Sequence, residues 1–413
     1  MNASAHMSAL CLAGRIILEN GGETYRAEDT VLHMARALHL DHADVFAVPS
    51  GLFISFVDER GEWKSSVNRV NLKGTHLARV DRVNQISRAL AAGDLLPERL
   101  LDELKAAQSL NENSPVWYAP LMAFLTAAGF AVMFGGGLMD MLLGGLCAAL
   151  TQVIPYAFSQ ENRSSAMASC LVGGTFCALI PLVFHALTGL CSTEAVIASA
   201  IMPLVPGLSM TNAVQDILRG DMVSGVAHCA RAIMIAVMVA GGALVGTHLA
   251  SAMGLMAQSA PQISAWPLWM QGAIITLGSL GAGAGFGALL FSPKKAILWG
   301  ALVGAAGYLA YWVLMQSGVG ETAAMFAGAL LAAVLSQIAA RRQRMITTIY
   351  ITIAILPMVP GLGLYRAMSA LAQGDLATGG GIAMHTMALI VMIALGIGLG
   401  AMLAGMRRRE RKG

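Results

Sequence analysis

Between Pro115 and Met406 the chain is a succession of apolar blocks set off by short polar marks, while the first 114 residues mix apolar and charged positions in shorter periods. From Ala5 to Leu40 the apolar residues Leu10, Ala13 and Ile17, then Val31, Met34, Ala35 and Leu38, recur at three and four, which predicts two helices broken at Gly21-Gly22. Thr24 is placed to cap the second. Three strands are predicted at Val45–Val48, Leu52–Val57 and Ser66–Val70, turned at Pro49-Ser50-Gly51 and Asp58-Glu59-Arg60-Gly61. Helices near Leu77–Ala92 and Pro97–Leu110 complete a small α+β head.

Downstream, spans are predicted near 116–138, 140–158, 165–189, 193–217 and 224–251, then near 267–291, 295–316, 321–340, 345–371 and 379–406. Each approaches the ~20 residues a helix needs to cross ~30 Å of hydrocarbon. Ten spans put both termini on one side. Arg163, Arg219, Lys294-Lys295 and Arg341-Arg342-Arg344 then fall on the side that also holds the basic residues before the first span, Arg79 to Lys105. Of the opposite turns only the one after the ninth span brings a cation, Arg366. By the positive-inside rule both ends are cytoplasmic.

Composition sharpens this picture. Of 413 residues 56% are hydrophobic and 12% charged, about half the charged share of a soluble domain. Residues 1–114 hold 15 acidic and 12 basic side chains, whereas only 16 Asp, Glu, Lys and Arg occupy the 292 positions from Pro115 to Met406. That excludes a purely soluble enzyme, a nucleic-acid binder and a disordered chain. No secretory leader is expected, because the first apolar stretch, Ala9 to Leu18, is interrupted by Arg15. The six cysteines form no CxxC pair and read as small buried residues of a reduced protein. His33, His39, His42 and His76 lack metal-ligand spacing, so no metal or other cofactor is expected. No Ser-His-Asp, His-Glu-x-x-His or Gly-x-Ser-x-Gly arrangement suggests an enzyme.

The decisive pattern is an internal repeat. Ile201-Met202-Pro203-Leu204-Val205-Pro206-Gly207-Leu208 returns as Ile355-Leu356-Pro357-Met358-Val359-Pro360-Gly361-Leu362, a constant 154 residues later. Gly220-Asp221 and Gly374-Asp375 keep the same offset, and Gly129-Phe130 resembles Gly285-Phe286 at 156. Two five-span copies, 115–262 and 263–413, follow the head at 1–114. Because five is odd, the second copy must run inverted, the layout of secondary transporters. The expected architecture is an α-helical polytopic membrane protein of about ten spans in two inverted five-helix repeats, with a small α+β soluble domain.

Each Pro-x-x-Pro-Gly interrupts its span after ten or eleven residues. Proline removes a donor and clashes with the preceding turn, and Met202, Val205, Leu356 and Val359 should be pushed toward extended geometry. A new helix starting at Gly207 or Gly361 presents free N–H groups and a positive dipole end, suited to a carboxylate. An unwound stretch cannot face lipid and should line a cavity. The candidate substrate positions are Pro206, Gly207, Ser209, Thr211, Asn212 and Asp216 in the first copy, with Gln215 nearby. In the second they are Pro360, Gly361, Gly363, Tyr365 and Arg366, with Ser369 and Gln373 nearby. A simple proline kink followed by an interfacial amphipathic helix is the structural alternative.

Proton-coupling candidates are Asp216 and Asp140, then Asp221 and Asp375, although Asp140 and Glu194 begin spans and both Gly-Asp pairs have ordinary capping chemistry. His185, His228, Arg231 and His385 are further ionisable groups within spans. In the head, Glu23, Arg26 and Glu28 read either as a polar site or as an ion-paired helix start. The acidic head is expected to regulate or gate, docking on Lys294-Lys295 and Arg341-Arg342-Arg344.

Gly22-Glu23-Thr24-Tyr25-Arg26 with Glu28 and Thr30, Phe134-Gly135-Gly136 with Asp140, and the doubled Pro-x-x-Pro-Gly…Gly-Asp together resemble the threonine/serine exporter family, over nearly the whole chain. The resemblance implies proton-driven export of threonine and serine from the bacterial cytoplasm across the inner membrane. The residues alone reach only a small polar, carboxylate-bearing solute as substrate; protons and the lipid bilayer are the other expected partners. A homo-oligomer is compatible with the sequence. A dicarboxylate exporter of the succinate type, a membrane-embedded hydrolase and a channel are the other readings.

Overall fold

The computed structural model describes residues 3–58, 60–71, 74–111, 114–157, 163–218, 220–255, 266–372 and 374–410. The chain forms two compact units. The first holds Met1–Ser114 with Leu208–Ala230 and Leu290–Pro293, and the second holds the remainder.

In the first unit α1 (Ala3–Glu19) and α2 (Thr24–Ala37) precede the antiparallel strands β1 (Asp41–Val48), β2 (Gly51–Val57) and β3 (Trp63–Arg69), in that spatial order. Helix α3 (Leu77–Ala92) and, after a 3-10 turn at Pro97–Arg99, α4 (Leu100–Gln108) follow. The register pairs Phe46 with Phe53 and Phe53 with Val67. Period-two alternation sends Leu52, Ile54 and Phe56 inward against Leu10, Ile17, Val31 and Met34, all buried. Gly14 lets α1 ride close on β2, since a Cβ there would lie 2.4 Å from Leu52 Cδ2. The strands begin earlier than the sequence suggests for β1 and β3, because Asp41-His42-Ala43-Asp44 and Trp63-Lys64-Ser65 carry no clear apolar alternation. His76 caps α3, accepting from the Arg79 N–H, and stacks on Phe291 at 4.8 Å. Burial, with the Arg79 charge adding, pushes this imidazole down to about 4.

The remaining helices are α5 (Tyr118–Met133), α6 (Leu138–Ala157), α7 (Arg163–Thr188), α8 (Thr193–Ile201), α9 (Gly207–Leu218) and α10 (Met222–Ala252). They are followed by α11 (Leu268–Leu289), α12 (Lys294–Gln316), α13 (Glu321–Gln343), α14 (Thr347–Ile355), α15 (Gly361–Ala372) and α16 (Leu376–Glu410). Among the described residues six helices, α7, α10, α11, α12, α13 and α16, contain segments long and apolar enough to cross a membrane, and the pair α14–α15, bent by 50°, makes a seventh candidate. Helix α5, α6 as far as Ile154 and the segment Thr193–Leu204 are apolar but shorter. Leu142, Leu146, Leu150 and Val153 form an outward stripe on α6, the inverse of a soluble helix and suited to lipid. Glycine sets the closest crossings: a Cβ on Gly129 of α5 would meet the Ala282 backbone nitrogen of α11 at 2.4 Å.

Both interruptions are present and take the same form. Helix α8 ends in a 3-10 turn at Met202–Leu204 and α14 in one at Leu356–Met358. Val205 (ψ 130°) and Val359 (ψ 122°) are extended, as expected before proline. Met202 and Leu356 are not: both keep helical angles. Each prolyl ring sits at the start of a tight 3-10 turn, where no helical N–H is needed, so the preceding residue stays in the helical region.

Among the cysteines, Cys11, Cys147, Cys177 and Cys191 are buried and Cys170 half-buried, but Cys229 is exposed. It lies on α10, an apolar helix with outward-facing side chains, so low polarity there does not mean burial in protein.

Candidate functional site

The site begins with the geometry of the breaks. In the second unit Ile201, Val205 and Pro206 from the first break face Gly361, Leu364 and Tyr365 from the second. Ala236, Val239 and Ala240 of α10 supply a third wall, and the space between them is a small, apolar cleft of about 20 Å³ that opens to solvent. The approach is close because position 361 has no side chain. A Cβ there would stand 2.4 Å from Met202 Cε and 3.4 Å from Val205 Cγ2. The two Pro-x-x-Pro-Gly motifs, 154 residues apart, therefore meet at one place.

Not every expected site residue joins them. Pro206, Gly361 and Tyr365 line the cleft. Gly363 instead packs against α16, where a Cβ would lie 2.5 Å from Thr386 Oγ1. Pro360 stands between the 3-10 turn and α15, its carbonyl accepting from the Leu364 N–H at 3.2 Å, and is absent from the lining. Arg366 reaches Glu194 on α8, its Nε donating to Oε1 at 2.9 Å and its Nη2 to the same oxygen. Ser209 is half-buried on α9. Gly207 opens α9 and Thr211 lies within it, but their side-chain surroundings fall outside the described residues, as do those of Ser369, Arg163 and the tail from Arg407. Arg219, Gln373, Glu59, Arg411 and Lys412 lie outside them altogether.

Asn212 and Asp216 belong to the first unit, where α9 lies among the head elements. Asn212 Nδ2 donates to the Gly21 carbonyl at 3.2 Å. Asp216, with no exposed surface, lies 3.7 Å from His228 Nε2. Asp221 accepts from the Thr24 hydroxyl at 2.9 Å and caps α10 through the Ser224 N–H at 3.1 Å. Thr24 is thus not the cap of α2 that the sequence suggests. It is the first residue of the helix after the N-cap Glu23, and its hydroxyl is committed to a partner 197 residues away. Buried Glu23 and half-buried Arg26 form an ion pair at 2.9 Å. Burial works against the Arg26 charge, but Glu23 and Tyr25 outweigh it and hold the guanidinium above its ordinary value. Burial pushes Glu28 up; the Ala47 N–H bond opposes this and the Asp221 charge adds to it. The head motif and the Gly-Asp turn of the first copy therefore meet in one polar junction. Thr24→Val removes a neutral-to-carboxylate hydrogen bond and is expected to cost about 1–2 kcal/mol. Thermal unfolding of the purified full chain checks this, with Thr24→Ser close to the parent.

The other acidic candidates act at helix starts. Asp140 accepts from the Gly137 N–H at 2.8 Å and the Ser192 N–H at 2.7 Å, joining the starts of α6 and α8. Asp375 caps α16 through the Thr378 N–H at 3.0 Å, and that bond lowers its carboxyl pKa. Gly220 (φ 90°) and Gly374 (φ 85°) both take the left-handed conformation before these caps. His185 contacts the Cys191 carbonyl oxygen and His385 pairs with Glu321 at 2.8 Å. Among the described residues no group of three or more His, Cys, Asp or Glu is placed to hold a metal ion.

Sequence reasoning missed the α10 wall, Met202 and the Glu194 partner of Arg366. Only the spacing of Ala236, Val239 and Ala240 at three and four hints at a shared face.

Two family models described as threonine/serine exporter match residues 8–250 and 276–403. The chain belongs to the threonine/serine exporter family. Across 98% of its length it is 26% identical to a threonine/serine exporter of Corynebacterium glutamicum, covering 83% of that protein. A probable threonine/serine exporter of Mycobacterium tuberculosis is 20% identical over 93% of the chain and 73% of its own length. A probable succinate transporter subunit of Escherichia coli is 22% identical over 55% of the chain and 89% of its own length. No solved structure matches. Within this family's chain, the two models divide the sequence close to where the internal repeat does.

Proposed function

We propose that this member of the family is a secondary active transporter, not an enzyme, that exports threonine and serine across the bacterial inner membrane. It works by alternating access between two inverted five-span copies, 115–262 and 263–413, with ten spans and cytoplasmic termini. The observation that carries this reading is the cleft shared by the two motif copies, in a chain of the threonine/serine exporter family. A broken helix from each copy gives exchangeable halves, so swapping their conformations turns the cleft from one face to the other.

Coupling to protons is assigned to Asp216. It is fully buried within α9 beside His228, whereas Asp140, Asp221 and Asp375 stand at helix starts as caps. Proteoliposomes loaded with labelled threonine should release it when a pH gradient is imposed. Asp216→Asn should remove the gradient response yet leave threonine counterflow within a few-fold of the parent; an unaltered gradient response in this variant would remove Asp216 from coupling. The similarity to a probable succinate transporter subunit supports a second reading, dicarboxylate export. Competition separates the two: excess serine should suppress threonine release and excess succinate should not.

A further inference from the structure

We propose that Glu194 and Arg366 form a zwitterion-selective gate, opened when a solute's α-ammonium takes Glu194 and its α-carboxylate takes Arg366. This deepens the exporter reading and rests on it.

The pair joins two of the elements that wall the cleft. Glu194 stands in the first turn of α8, whose last residue, Ile201, lines the cleft. Arg366 follows Tyr365, which lines it from α15. Helices α8 and α15 come from different copies, so the ion pair between them must part before the copies separate at this point. Both side chains are about half exposed, at 42% for Glu194 and 52% for Arg366. In a helix rich in apolar residues, an accessible ion pair is expected to face a water-filled vestibule, because charges facing hydrocarbon are costly.

Charge bookkeeping then selects the solute. Parting the pair leaves one anionic and one cationic group at the mouth of the cleft, each able to attract the opposite charge of a solute. An amino acid brings one of each sign, so both groups stay compensated throughout the exchange. A dicarboxylate satisfies Arg366 but sets its second carboxylate against Glu194. A hydroxy acid without the amine leaves Glu194 uncompensated. The planar guanidinium suits a carboxylate in two-point contact, which a lysine does not reproduce.

The test uses full-length protein in proteoliposomes, labelled threonine counterflow, and three competitors: serine, succinate and 3-hydroxybutyrate, which is threonine without its amine. In the parent only serine should compete. Glu194→Gln should lower threonine counterflow about tenfold or more and allow 3-hydroxybutyrate to compete as well as serine. A variant that keeps the parent's preference for serine over 3-hydroxybutyrate overturns the proposal. The double exchange Glu194→Arg with Arg366→Glu restores an ion pair but reverses the polarity offered to the solute. It should remain inactive; recovery of threonine counterflow would make the pair a mere latch and overturn the selectivity. If Glu194→Gln does not yield folded protein, the double exchange decides the matter alone. A parent that moves succinate but no threonine overturns the exporter reading as well, an outcome distinct from a parent that moves threonine beside a variant with unchanged preference.

Discussion

Replacing Gly361 by leucine is expected to abolish export while leaving the protein folded and inserted. The glycine sits where the two breaks are closest, and a Cβ there would lie 2.4 Å from Met202 Cε and 2.8 Å from its sulfur. Those atoms are the far end of a flexible side chain, so alanine is accommodated by a swing of the thioether. Leucine adds three more carbons to this small cleft and takes up the space into which a solute would have to fit. Threonine counterflow should fall about a hundredfold or more, with an unchanged size-exclusion profile. Gly361→Ala should retain part of the activity, and adding Met202→Ala to it should recover more. Normal flux in Gly361→Leu would take the cleft off the transport path.

Proline-glycine chemistry is local, which is why both breaks were legible at their observed positions. It acts through one missing donor, one ring clash and one absent Cβ, and needs no knowledge of the partner surface. The head helices were legible for the same reason, their apolar spacing being set within each element. Side-chain partners were not. Nothing near Thr24 announces Asp221, and nothing near Arg366 announces Glu194, because both contacts join segments more than 170 residues apart. Gly363 shows the limit most clearly. Two residues from Gly361 on the same helix, it faces Thr386 instead of the cleft, since a helix turns by about 200° in two residues. The polar positions after the first break were equally ambiguous, and Asn212 and Asp216 are engaged within the first unit. The two motif copies share a backbone without sharing the use of the helix that follows.

The crossing of α7 and α10 should be the least forgiving place in the second unit. A Cβ on Gly242 would stand 2.0 Å from the Leu171 carbonyl oxygen and 3.0 Å from the Thr175 nitrogen. From the other side, one on Gly174 would stand 2.3 Å from the Val239 carbonyl oxygen, and one on Gly246 2.4 Å from that of Thr175. These neighbours are backbone atoms, which cannot swing aside as Met202 can. Gly242 and Gly246 are four apart on one face, the small-residue spacing that brings helix backbones together. Gly242→Val must therefore separate the helices, forfeiting contacts along the whole crossing, and should cost about 3 kcal/mol or more. The damage should reach function too, because Ala236, Val239 and Ala240 on the same helix wall the cleft. Thermal unfolding in detergent should show a Tm several degrees lower or a loss of monodisperse protein. The adjacent Gly241 is the control: a Cβ there meets nothing within 4 Å, so Gly241→Ala should leave the Tm unchanged or slightly raised, as removing glycine from a helix interior normally does. Equal damage at 241 and 242 would mean that the helix tolerates no substitution in this turn, and that close backbone approach is not what holds α7 against α10.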